Sequence, residues 1–419
     1  MKHLLKLISS LTILSTGILA ISCTNKNIKS KEDNISNNKE DNKDQTKPEN
    51  LPQDQPQANE PKEEPKEEIN ISEEEKQEVI NALEKVFKEQ EDAFGSFHTH
   101  QEVLDQLKIY IEDNKFKYFD HLTLADENDK NKNLVVDENG TLNKIKISFF
   151  DRQTIFSPKK VLKDEVIDKY DDTKTQLLQV GYKLETPLKS IKMKQANKKI
   201  KKVPKHLPLK INSLDNAFRY IEAASVDNLD KWDTKNIKYL TETFSDTKEF
   251  NQDINFWNVS SVIDMSKMFA GALSFNKDLN SWDTSNTLVM NGMFWDAESF
   301  NGAISNWKVN KVGDMQSMFS GATKFNQDLD QWDTSNVENM EGMFSNTNTF
   351  NGNISNWNVS NVTSMKQMFQ NAKGFRRNLK SWNALKVTQI QNFRKGIENN
   401  IPDQNLPKFT DDVRKTIDK

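Results

Sequence analysis

Seven tryptophans recur at intervals of 25 residues: Trp232, Trp257, Trp282, Trp307, Trp332, Trp357 and Trp382. An unbroken period of that length marks stacked supersecondary units, each too small to bury its own apolar face. Such a chain offers an extended surface rather than a catalytic pocket, so the repeat constrains function as well as fold.

Aligned on tryptophan, the remaining apolar positions fall into columns. Three residues before it stand Leu or Ile (Ile254, Leu279, Ile304, Leu329, Ile354, Leu379). Five after it stands Ile237 and then Val, broken by Thr287; eight after it Met265, Met290, Met315, Met340 and Met365. Twelve after it come Phe269, Phe294, Phe319, Phe344 and Phe369, and a second phenylalanine closes each unit from Phe250 to Phe375. The tryptophans and these five phenylalanines are the expected repeat core. Each aromatic buries roughly 150–250 Å² once the next coil covers it, so the two ends of the array need caps. A weaker period of 50 overlies the first: Trp-Asp-Thr at 232, 282 and 332 alternates with Trp-Asn-Val at 257 and 357 and Trp-Lys-Val at 307.

Two spacings occur within a unit. Ile254, Trp257 and Val259 have the spacing of a short inward-facing strand. From Val262 the interval becomes three and four through Met265, Met268, Phe269 and Ala272. That interval predicts one or two helical turns, with Ser260, Asp283 or Ser285 as caps. Asn251, Asn276, Asn301, Asn326 and Asn351 follow the closing phenylalanine, where stacked side chains would satisfy backbone groups at a turn. The polar residues beside tryptophan, such as Asn258, Lys308 and Asn358, are expected to face outward.

The string Met-Phe-x-x-Ala-x-x-Phe-Asn-x-x-Leu-x-x-Trp-Asp-Thr-Ser-Asn-Val resembles the repeat of BspA-like leucine-rich-repeat surface lipoproteins of mycoplasma-type bacteria. The resemblance covers about residues 207–397. It implies an α+β fold dominated by a leucine-rich-repeat-like solenoid of about six to seven coils. It also implies a role in adhesion, host contact or antigenic display, and brings no catalytic residues. Thr287, Tyr239-Leu240, Thr243 and Arg376-Arg377 depart from the pattern.

The rest of the chain divides by composition. Lys2 and Lys6 precede an apolar run from Leu11 to Ala20, and Ala20-Ile21-Ser22-Cys23 resembles a lipobox. Residues 1–22 are therefore expected to be a signal peptide, and Cys23 the lipidation site and membrane anchor on the extracellular face of the cell membrane. Residues 23–70 are a polar stretch with too few apolar residues to fold, an expected disordered tether. Residues 71–185 are expected to form a small α+β module. Ser72 and Glu75 make a capping box, Val79, Ile80, Leu83, Val86 and Phe87 one helical face, and Val103, Leu104, Leu107 and Ile111 another. Leu134 to Val136 and Ile145 to Phe149 suggest a hairpin. Residues 186–206 are expected to be a basic linker and 398–419 a charged tail.

Candidate chemistry is sparse. His98 and His100 lack a predictable third ligand, the recurring aspartates suit turns better than calcium sites needing six to eight oxygens, and the single cysteine excludes a disulfide framework. The lysines from Lys189 to Lys205 suit a solvated linker better than a polyanion site. No metal, cofactor, nucleic-acid partner or enzyme activity is expected. The expected partner is a host or extracellular protein or glycan; the alternative is a structural or variable surface antigen without a dedicated ligand.

Overall fold

The structure, a computed structural model, describes residues 71–89, 99–112, 116, 118–135, 137, 139, 141–158, 165–185 and 190–417. Cys23, the apolar leader, the polar tether and His98 lie outside the described residues. Among these, the chain begins with helices α1 (Glu73–Glu89) and α2 (His100–Glu112). The capping box closes reciprocally: Ser72 N–H donates to Glu75 Oε2 at 3.0 Å, and Glu75 N–H to Ser72 Oγ at 3.2 Å. Both helices pack on an antiparallel sheet of β1 (Leu122–Leu124), β2 (Ile145–Phe149) and β3 (Arg152–Phe156), ordered β1-β2-β3. Strict alternation turns Ile145, Ile147 and Phe149 into the core with Val79, Leu83, Leu104 and Leu107. The expected hairpin is re-partnered. Leu134 and Val135 are not in a strand; β2 turns instead at Phe150 and Asp151, with Phe150 at φ 52°, to pair with β3.

The hydrophobic core divides between Phe156 and Val166, not at residue 185. Strands β4 (Glu165–Val166), β5 (Lys169–Tyr170), β6 (Leu177–Gln179), β7 (Tyr182–Glu185) and β8 (Ser190–Met193) belong with the repeats. The segment expected as a linker is amphipathic: Met193, Ala196, Ile200 and Val203 are buried in the repeat core, while Lys198, Lys199, Lys201 and Lys202 are exposed. Antiparallel β4-β7-β8 covers the first coil, and β8 hands over to it by a parallel bridge from Lys192 to Ser213.

From Ser213 the chain advances one coil at a time, with parallel bridges linking Tyr239, Asp264, Val289, Asp314, Asn339, Ser364 and Gln389. The intervals of three and four do not make helix. Met265, Lys267, Phe269 and Gly271 donate their N–H groups to Val289, Asn291, Met293 and Trp295 of the next coil, at 2.7–3.0 Å. The N–H groups between them close tight turns, as from Met268 to Met265 and Ala270 to Lys267. An α-helix would direct every N–H to the carbonyl four residues back. Here every fourth residue takes positive φ instead: Lys267 and Gly271, Gly292 and Asp296, Ser317 and Gly321, Gly342 and Asn346. Gly, Asn and Asp enter that conformation most easily. Their recurrence fourteen residues after every tryptophan, from Asp246 to Gly396, was the visible signal against a helix.

Inside, rings form continuous columns. Phe269, Phe294, Phe319 and Phe344 stack at 5.6 Å, and Trp282, Trp307, Trp332 and Trp357 at 6.1–6.2 Å, all within 8° of parallel. Within a coil the two phenylalanines meet at about 4 Å, as Phe319 and Phe325 do. The columns end in edge-on contacts, Phe369 to Phe393 and Phe393 to Phe409. The expected charged tail is this end cap. Ile401, Leu406, Phe409 and Ile417 are buried in the same core, and buried Arg394 binds Ile401 O and Asp403 at 2.6 and 2.7 Å.

Candidate interaction surface

Polar bonds between coils decide which side chains are left over for a partner. Each indole N–H reaches a carbonyl of the preceding coil: Trp307 donates to Leu279 O at 2.8 Å and Trp357 to Leu329 O at 2.8 Å. Tryptophan is therefore both core and fastener, a polar role that apolar spacing did not disclose. The asparagine column behaves as expected, each Oδ1 accepting the backbone N–H 25 residues on: Asn276 from Asn301, Asn301 from Asn326, Asn326 from Asn351, and Asn351 from Arg376 at 3.0 Å.

The period of 50 also has a contact behind it. Thr234, Thr284 and Thr334 donate Oγ1 protons to Asn258, Lys308 and Asn358 O in the following coil; the alternate coils carry valine there. A Cβ at Gly302 or Gly352 would lie 2.1 or 2.0 Å from the carbonyl of Lys277 or Gln327. At Gly302 and Gly352 the neighbouring backbone passes where a side chain would stand, while the first alternate coil carries Gln252 at that position.

The acidic candidates are consumed internally. Asp253, Asp283 and Asp333 accept N–H groups two residues on, and Asp278 and Asp328 accept from Ala303 and Asn353. Burial pushes the carboxyls of Asp215, Asp296 and Asp314 up from their ordinary value. His100 is 2% exposed, and its Nδ1 lies 3.7 Å from Asp129; burial holds its imidazole down. Among the described residues no three metal-ligating side chains gather, and no described helix is long and apolar enough to cross a membrane.

What remains outward is mostly polar, with Phe256, Leu288, Trp295 and Leu385 also exposed, and is uneven in charge. Asn258, Lys308 and Asn358 are exposed, as expected. The four coils from Glu242 to Glu341 carry 15 carboxylate residues against six lysines, whereas residues 342–397 carry eight Lys or Arg and no carboxylate. In the lysine run, Lys192 pairs with Glu185, Lys194 with Glu165 and Lys198 with Glu222. In the final coils only Lys366 and Arg394 meet carboxylates among the described residues, Glu341 at 3.3 Å and Asp403 at 2.7 Å. Three lysines of the more conspicuous run thus meet carboxylates, against two cations of the final coils. The single exposed tryptophan, Trp295, lies off the core columns.

No curated protein and no solved structure matches the chain. Residues 212–328 and 300–406 each match a family described as Mycoplasma protein of unknown function, DUF285, the two overlapping spans together covering a little under half of the chain. In its stacked region, then, this protein is similar to that Mycoplasma repeat family.

Proposed function

We propose that this is a cell-surface lipoprotein, anchored at Cys23, whose stack is a leucine-rich-repeat-like solenoid that binds macromolecules of host or neighbouring cells. The observation that carries this reading is the segregation of outward charge: a decoy array has no need of a coherent patch, and coils with interchangeable cores have acquired opposite electrostatic faces. Seven coils at about 4.8 Å per step present a ribbon on the order of 30 Å long, suited to a protein or glycan rather than to a pocket-bound small molecule. The second reading, a variable surface antigen, is favoured by the equivalence of contacts from coil to coil, which lets blocks of 50 residues be gained or lost. The test coats beads with the full chain and with a variant lacking residues 282–331, and counts attachment to host cells. Binding by the full chain and weaker binding by the folded deletion supports the first reading; no attachment by either supports the second. The anchor is tested by Cys23→Ser, expected to leave the membrane-detergent fraction; unchanged partition would overturn it.

A further inference from the structure

The turn from Lys373 to Lys380 closes the last full coil and carries Lys373, Arg376, Arg377 and Lys380, all exposed. None of the four meets a carboxylate within ion-pair distance among the described residues. The corresponding turn of the preceding coil, residues 348–355, is uncharged. Among the described residues the cap carboxylates do not reach the turn: Glu398 accepts from Gly396 N–H at 2.9 Å, Asp403 binds Arg394, Asp412 pairs with Lys415, and Asp411 forms no ion pair. Four cations at one edge therefore repel one another without compensation, an arrangement that costs stability unless an anion supplies the missing charge.

The position of the two arginines explains how they became free. In earlier coils this place is held by asparagine, whose Oδ1 caps the N–H 25 residues on. The corresponding N–H after residue 376 belongs to Ile401, and it already donates to Ile397 O. Arg376 is thus released from the ladder. Its Nη1 donates to Lys373 O and Gly374 O at 2.9 and 2.7 Å, and Arg377 Nε donates to Asn351 O at 2.8 Å. Both guanidinium groups are held in place by backbone carbonyls, which lowers the entropy lost when an oxyanion is bound, and the planar fork matches tetrahedral oxyanions.

We propose that the turn Lys373–Lys380 is a binding site for a sulfated polysaccharide. This rests on the surface-binding reading above and names the ligand class. A nucleic acid is disfavoured because every aromatic of the final coils (Phe369, Phe375, Trp382, Phe393) is buried, leaving no platform for bases. An anionic membrane is disfavoured because Leu385 alone among large apolar side chains between 342 and 397 is exposed, which is too little to insert. The acidic coils before Glu341 confine a polyanion to the end of the stack.

The test measures binding of the full chain to a heparin oligosaccharide, its desulfated counterpart, a 20-nucleotide single strand and phosphatidylglycerol vesicles. The variant is Arg376→Asn with Arg377→Gln, which restores the Asn326-Gln327 pair of an earlier coil and so keeps the fold. Loss of two charge-assisted contacts should weaken heparin binding about tenfold or more and make its dependence on salt shallower by about two counterions. Lys308→Asn, in a middle coil, should leave it unchanged. Equal affinity of variant and parent, equal affinity for the desulfated chain, or preference for the oligonucleotide or the vesicles would each overturn the proposal. If heparin binding is absent while attachment to host cells persists, the ligand class is wrong and the surface-binding reading stands; if attachment is also absent, that reading falls.

Discussion

In the stack, Phe319 meets Phe294 and Phe344 at the same 5.6 Å that separates Phe269 from Phe294. In the N-terminal helix–sheet layer, Phe87 meets Phe156 at 4.7 Å and 39° in a contact made once. One region solves a packing problem and repeats the solution; the other solves each contact separately. Any residue of the stack therefore has natural comparators one or two coils away, and a substitution can be judged against them. The layer offers none. Among the described residues the two meet through Leu209 N–H to Gln106 Oε1 and Lys210 to Glu102, both at 2.8 Å.

All eight tryptophans lie between residues 232 and 382, so their fluorescence follows the stack alone. Phe319→Ala should destabilise the fluorescence-detected transition by about 3–5 kcal/mol, as for truncation of a fully buried ring. Phe149→Ala should shift the transition seen by far-ultraviolet circular dichroism of the helices and leave fluorescence in place. A common shift in urea melts would show that the two cores unfold as one.

The period of 50 yields the next largest effect. Deleting residues 282–331 sets Gly352 beside Lys277, as Gly302 was, and the stack should keep its cooperativity. Deleting only 282–306 puts Gln327 there, with its Cβ against a carbonyl. That should cost about 1–3 kcal/mol more, as for an overpacked core. Equal urea midpoints for the two deletions would mean the alternation is historical rather than physical.

Glycines inside the stack divide in the same way. Gly313 has open space where a Cβ would point and no positive φ, and the corresponding positions carry Glu338 and Thr363. Gly313→Ala should therefore gain about 0.4–1 kcal/mol through the unfolded chain, whereas Gly352→Ala should lose stability.

The smallest contrast concerns acid. His100 binds its proton less readily in the folded layer than when unfolded, since burial outweighs the attraction of Asp129. Its contribution is present above the ordinary histidine range, about 6.5, and is lost as pH falls through that range. The raised carboxyls of Asp215, Asp296 and Asp314 act oppositely: their contribution is present below the ordinary aspartate range and lost as pH rises through their folded values. Lowering pH from 7 to 5 should therefore weaken the layer relative to the stack. Asp314→Asn, which places at 314 the residue found at 339, should stabilise the stack at neutral pH, with the gain vanishing near pH 4. A gain that persists at pH 4 would assign it to something other than charge.

Much of the stack was legible in the chain because one burial pattern is written seven times, and chance does not repeat a tryptophan column. The inward columns, the asparagine ladder, the outward Asn258, Lys308 and Asn358, and the capping box of α1 follow from side-chain chemistry at fixed spacing. The charge contrast between the middle and final coils was likewise countable. Whether those charges are paired was not, since Lys198 and Glu222, or Arg394 and Asp403, meet only after the chain has turned. The path of the backbone also belonged to tertiary structure. Met265, Met268, Phe269 and Ala272 can share one face of a helix or of a ladder of tight turns with residues at positive φ. The choice falls to the ladder because the N–H groups of Met265, Lys267, Phe269 and Gly271 find carbonyls in a coil 25 residues away. For the same reason β2 took β3 as its partner, and the lysine-rich segment and the C-terminus became caps: an apolar residue is buried wherever an open core end lies within reach, and only the folded chain places that end.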